Sequence, residues 1–161
     1  MSIQKDIEYL SAGVSELEKY LLSKELYFPI GLNLPQLTLG GILLAIARAG
    51  VHAAKFEAQV EAVRSKWRAA WDEKSNREVR ARSEQWANYL AEYLEDPKAE
   101  VHLYSQNVRY RAMISLLGKA EDDSDALVWG AFKEGEFIWE EECAPNFPRK
   151  PFWYLYGILK E

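Results

Sequence analysis

The stretch FPIGLNLPQLTLGGILLAIARAG, Phe28 to Gly50, decides the fold, because most of it lies in a run of 22 residues, Leu26 to Ala47, that carries no charge. A membrane span, a phosphate-cradling glycine loop and the opening of a buried helix can all begin this way. Pro29, Gly31, Asn33 and Pro35 interrupt the first part of the run and leave only Gln36 to Ala47 free to be helical. At ~1.5 Å per residue that segment reaches about 18 Å, well short of a hydrocarbon core of ~30 Å. A phosphate loop needs a defined glycine spacing and a lysine close behind it, and TLGG has neither. A helix remains. Pro-Gln-Leu-Thr opens it, and Gly40 with Gly41 lets a second backbone approach, at up to about 1 kcal/mol of helix propensity each that packing should offset.

Working outward toward the N-terminus, Ile3, Ile7, Leu10, Val14, Leu17 and Leu21 recur in steps of four and three, a seam along one side of a helix. Lys5, Asp6, Glu8, Glu16, Glu18 and Lys19 take its other sides. This helix should end near Leu26, since Phe28 precedes Pro29 and is biased away from helical backbone. Toward the C-terminus the seam continues through Leu39, Ile42, Ile46, Ala49, Ala53, Phe56, Val60, Val63, Trp67 and Ala70, predicting a rod of roughly 50 Å. The polar stretch DEKSNREVRARSEQ, Asp72 to Gln85, follows, and then Trp86, Leu90, Tyr93 and Leu94 restore the period. Ser75 with Glu78 could cap a new helix that folds back. Against this, no Gly or Pro stands between Asp72 and Glu95, and steps of four through Trp67, Trp71, Ser75 and Val79 carry the stripe across, which favours one continuous helix.

Asp96 and Pro97 close that segment. A further helix is expected from about Leu103 to Leu117, apolar at Leu103, Tyr110, Ile114 and Leu117 but with Asn107 on the same face, and Gly118 stops it. Beyond the acidic turn EDDSD, Ser124 or Asp125 can cap a short helix through Phe132, and the alternative over 125–139 is a hairpin turning at Glu134-Gly135. The tail forbids a long helix through Pro145, Pro148 and Pro151, yet holds Phe137, Trp139, Phe147, Phe152, Trp153, Tyr154 and Tyr156. So many rings should lie over the helices, fixed by burial rather than by hydrogen bonds of their own. The expected fold is all-α: a long-helix bundle over 1–118 with an acidic, irregular, aromatic-rich C-terminal arm over 119–161 packed on the same domain.

Charge and composition restrict partners. The net charge of −5 comes wholly from residues 119–161, since 1–118 holds 15 acids and 15 bases. Nucleic acid and anionic membranes both want a basic face, and Lys74, Arg77, Arg80 and Arg82 are interleaved with Glu73, Glu78 and Glu84. Neither partner is expected, and that stretch reads as a solvated helix face. The N-terminus has no secretory apolar core, so a cytoplasmic location is the expectation.

Chemistry leaves little trace. Two histidines, His52 and His102, lack the Glu-x-x-His spacing of a di-metal bundle site and read as surface residues. The lone Cys143 follows three glutamates whose field disfavours a thiolate. Glu57 with Glu61, and Asp122, Asp123 and Asp125, show no setting that would separate an acid from a base. No cofactor or metal is expected. The most suggestive polar group is NVRYR, where Arg109 and Arg111 cannot both reach solvent from one side, so one should lie beneath the arm, against Trp153 or a carboxylate of Glu140 to Glu142, or hold a ligand anion. These readings favour a non-catalytic scaffold or interaction protein. The second helix should outrun the first and leave Trp67, Trp71, Trp86, Tyr89 and Tyr93 as an association face for a homo-oligomer or protein partner. The alternative is a small-molecule binder or enzyme with its pocket between helices and arm.

Overall fold

A computed structural model describes residues 3–118, 137–139, 146–148 and 152–159. Among these residues six α-helices dominate: α1 (Ile3–Leu22), α2 (Leu39–Ala49), α3 (Ala54–Lys66), α4 (Arg68–Glu95), the single turn α5 (Pro97–Glu100) and α6 (Tyr104–Leu116). Two short strands, β1 (Phe137–Trp139) and β2 (Gly157–Leu159), pair antiparallel with Ile138 opposite Ile158. The fold is an all-α bundle with a C-terminal arm. The chain divides into two compact units, Met1–Val79 and Arg80–Glu161, at a boundary inside α4. Gly118, where the charge balance changes, lies within the second.

In the first unit α1 turns Leu10, Gly13, Leu17, Tyr20 and Leu21 inward. It stops four residues before the expected Leu26. Ser23 folds back on Tyr20, whose carbonyl accepts from both its amide (3.0 Å) and its hydroxyl (2.7 Å). Asp6 was expected on the solvated side and is buried, because Arg48 of α2 meets its carboxylate at 2.8 Å. The loop after α1 is closed by reciprocal backbone hydrogen bonds between Phe28 and Leu37 and held by Phe28 edge-on to Tyr20. At its end Thr38 caps α2 through Gly41 N (2.9 Å). What comes close at Gly41 is a side chain rather than the expected second backbone: a β-carbon there would stand 2.5 Å from the Tyr9 hydroxyl.

The expected rod from Leu39 to Ala70 does not form. Gly50 adopts φ 57°, its N–H bonds Ile46 O, and a turn of 3-10 helix, Gly50–Ala53, reverses the chain. Left-handed backbone at the end of a helix is a glycine property. α2 therefore runs antiparallel to α1, with Ile42 beside Gly13 and Arg48 at Asp6, and α3 returns alongside α1 to bring Lys66 to Glu18 at 3.2 Å. Leu39–Lys66 is apolar and long enough by composition to cross a membrane, but the reversal leaves helices of 11 and 13 residues, about 16 and 20 Å. At Trp67 the backbone kinks (φ −118°, ψ 45°) while Trp71 N still reaches Trp67 O at 2.9 Å. From there α4 runs unbroken through the polar stretch, as the stripe predicts.

In the second unit α4 buries Trp86, Tyr89, Leu90 and Tyr93. Asp96 caps α5 through Ala99 N (3.4 Å), and α6 ends at a turn in which Gly118 N bonds Ser115 O. The buried face of α6 is Tyr104, Val108, Arg111, Ala112 and Ile114, rotated from the expected one, so that Leu103, Tyr110 and Leu117 stand half-buried. The arm lies on α6. Phe147, Phe152, Tyr154 and Tyr156 are buried and Trp153 partly so. Hydrogen bonds also fasten the arm: Tyr104 OH donates to Tyr154 O at 2.6 Å, Tyr156 OH to Phe147 O, and β1 pairs with β2. The short helix or hairpin expected before Phe137 lies outside the described residues.

Candidate functional site

Four places could carry a site. The start of α2 offers backbone amides that would attract an anion, and the chain fills it itself. Glu78 of α4, fully buried, accepts Gly40 N at 3.0 and 3.1 Å through both carboxylate oxygens. Its neighbours on α4 act in the same way. Lys74 Nζ donates to Ser23 O (2.8 Å) and Glu25 O (2.5 Å) and sits 4.5 Å from the Tyr20 ring centre. Arg77 donates to Lys24 O at 3.2 Å. Burial, then the charge of Arg77, holds the Lys74 ammonium below the ordinary lysine value. The solvated basic face expected here is thus corrected. Lys74, Ser75, Glu78 and Arg82 are buried, and Lys74 and Glu78 clamp the end of α1 and the start of α2.

The second place is the arginine pair. Arg111 is 1% exposed, donates to Ser115 Oγ (3.1 Å), and Ser115 in turn meets Tyr154 OH at 2.9 Å. One arginine lies beneath the arm, where Ser115 joins its guanidinium to Tyr154. Arg109 is half-buried and its Nε donates to Gln106 O at 3.2 Å. Glu140 to Glu142 lie outside the described residues, as do Cys143 and the cluster Asp122, Asp123 and Asp125.

The proposed association face is covered by its own chain. Trp71, Trp86, Tyr89 and Tyr93 are all buried and Trp67 is half-buried. Trp71 lies under the Arg64 guanidinium (5.2 Å), and Trp86 stacks on Tyr89, which meets Tyr93. α4, at 28 residues, still outruns the 20 of α1, but Trp86, Tyr89 and Tyr93 are buried within the second unit. What α3 leaves open instead is a shallow groove of about 440 Å³ against α1, walled by Val14, Phe56, Ala62 and Val63 and edged by Ser11 and Lys55.

The fourth place is a polar groove of about 260 Å³ in the second unit. Gln85, Asn88, Tyr89 and Glu92 come from one face of α4, Asn107 and Tyr110 from α6, Leu103 from the 3-10 turn that precedes α6, and Glu100 from the end of α5. Tyr89 OH donates to Glu100 O (3.1 Å) and Asn107 Nδ2 to Leu103 O (2.9 Å). Arg82 lies 5.4 Å from the Tyr110 ring and donates to Gln85 Oε1 (3.1 Å). Burial and the Glu100 charge push the Tyr89 hydroxyl far above its usual pKa. Sequence reasoning noticed Asn107 only as a flaw in an apolar face. The i, i+3, i+4, i+7 set on α4 and the i, i+4, i+7 set running from Leu103 into α6 are the signal that could have found the groove. His52 and His102 are exposed, as are Glu57 and Glu61, and no group of His, Cys, Asp and Glu among the described residues could hold a metal. No protein-family model matches the chain, and neither the curated proteins nor the solved structures contain a match to it.

Proposed function

We propose that the chain is a non-catalytic helical interaction protein that pairs with a second copy of itself through the first unit. One observation carries this reading: Leu32 stands wholly exposed in the loop closed by Phe28 and Leu37, on the same unit as the apolar α1/α3 groove. The loop is not a slack excursion, since Ile30 packs toward Gly13 and Phe28 against Tyr20. A leucine held out on an ordered loop is a knob that an apolar groove on a second copy could receive. α3 supplies a further reason. It buries only Val60 of its 13 residues, whereas α2 buries six of 11, so its seam of Phe56 and Val63 gains most from being covered. Val51, at the α2–α3 turn of the same unit, is exposed as well.

Sedimentation velocity at tens of micromolar tests this. The parent should contain dimer or higher species, and Leu32→Asp, which alters no buried contact, should return them to monomer with an unchanged melting temperature. A parent that is strictly monomeric, or whose dimer ignores Leu32→Asp, overturns the reading.

A further inference from the structure

A helical hairpin and a straight rod over Leu39–Lys66 differ mainly at Gly50. Ala49 and Ala54, on either side of the α2–α3 turn, have right-handed helical backbone, and Ala53 (φ −102°, ψ 5°) lies near it. Gly50 departs, with φ 57° and ψ −126°, a combination that only glycine takes without strain. Its amide already bonds Ile46 O, four residues back, as it would in a continuing helix. No side chain caps the turn: Ala49 and Ala53 stand at the cap positions of the 3-10 segment and of α3, and Val51 is 87% exposed. Leu39, Ile42, Ile46, Ala49, Ala53, Phe56, Val60 and Val63 keep steps of three and four across it, so a straightened helix carries them all on one side.

The pieces on the two sides of Gly50 are separable. α1, α2 and the loop between them hold one another through Arg48 on Asp6 (2.8 Å), Tyr9 OH on Gln36 O (3.1 Å) and Ile42 beside Gly13. They meet α3 and α4 through a different set: Glu18 with Lys66, Gly40 N with Glu78, and the carbonyls of Ser23 and Glu25 with Lys74. The partners in that set are far apart in the chain, so a second copy supplies them as well as the first. We infer that Gly50 is a hinge through which two copies exchange α1 and α2: Leu39–Lys66 straightens into one helix, and the α1 and α2 of each copy dock on the α3 and α4 of the other. The exchange restores the contacts just named and relieves the left-handed turn in each copy. It needs no docking at Leu32 and so does not rest on that mode of pairing. Docked copies part on dilution, whereas exchanged copies must first undo their packing.

Gly50→Ala tests the hinge, because a β-carbon opposes the left-handed backbone and favours a straight helix. After refolding from urea at high protein concentration, gel filtration should show a dimer-to-monomer ratio at least about tenfold above that of the parent. The dimer should survive hours of dilution and persist when Leu32→Asp is added. When isotope-labelled and unlabelled chains are refolded together, a zero-length carbodiimide link between Glu18 and Lys66 should join one label to the other. A monomeric Gly50→Ala chain, a dimer that parts on dilution or is lost with Leu32→Asp, or a link confined to single chains would overturn the inference. Should Gly50→Ala not fold, the parent decides. A persistent dimer formed on concentrated refolding, and lost when two glycines are inserted after Gly50, sustains the hinge; no such dimer, or one that ignores the insertion, overturns it.

Discussion

From Trp71 to Glu78 the covered face of α4 is built from Lys74, Ser75 and Glu78 behind a single tryptophan, whereas from Trp86 to Tyr93 the same helix covers its inward side with Trp86, Tyr89, Leu90 and Tyr93. The first half holds its unit by meeting the unsatisfied backbone at the ends of two other helices. The second half holds its unit by ring area. A single helix can therefore cross between two compact units without a Gly, a Pro or a break in its hydrogen-bond ladder, provided each half supplies what its own surroundings lack. Polar residues stay buried where helix termini need partners, because an amide or carbonyl left dry costs about 1–3 kcal/mol.

Truncating the aromatic half should have the largest effect. Tyr93→Ala removes a buried ring that meets Tyr89, and a loss of about 3–5 kcal/mol is expected in urea denaturation, as for other large core truncations. A loss below about 1 kcal/mol would show that ring area does not hold the second half. The polar half should yield next. Glu78→Ala orphans Gly40 N and removes the anion from the start of α2, with about 2–3 kcal/mol expected. Glu78→Gln, which keeps an acceptor, should recover part of it. If Ala and Gln were equally harmless, the carboxylate would be incidental to that helix start.

The smallest effect is the most discriminating, since the halves should respond to alkali with opposite sign. Burial and Arg77 hold folded Lys74 below the ordinary 10.5, so the unfolded chain binds that proton more tightly, and stability rises with pH between the folded value and 10.5. Burial and Glu100 raise folded Tyr89, and burial raises Tyr104. The unfolded chain then loses those protons first, and stability falls as pH climbs past the ordinary 10.0. Urea midpoints followed through this range should lose the rising component in Lys74→Met and part of the falling one in Tyr89→Phe. Identical profiles in both variants would mean that neither group senses its half of the helix.

These same residues mark what the sequence could and could not disclose. The period of three and four found α1, carried α4 through its polar stretch and, with Gly118, ended α6. It missed the reversal at Gly50 because Ile46, Ala49, Ala53 and Phe56 keep the spacing across a 3-10 turn of four residues, so the seam runs on while the chain doubles back. Arg48 in the last turn and Gly50 just past it were the legible stop. Charge patterning failed at Lys74 and Glu78 because their partners are backbone groups of segments far away in the chain. Of the nominated site residues, Arg109 and Arg111 form a pair of which one should be covered, and the spacing does not say that it is Arg111. The ring stripe was misplaced because most of its rings turn into the packing of the second unit, and the polar groove went unseen because its two rows lie on different segments of the chain.

Glu78 at the head of α2 has a last consequence. Its carboxylate is a tethered ligand, present at an effective concentration that no dissolved ion matches. Phosphate or sulfate in the buffer should leave this helix start undisturbed, and a crystal grown from either salt should show Glu78, not the ion, at Gly40.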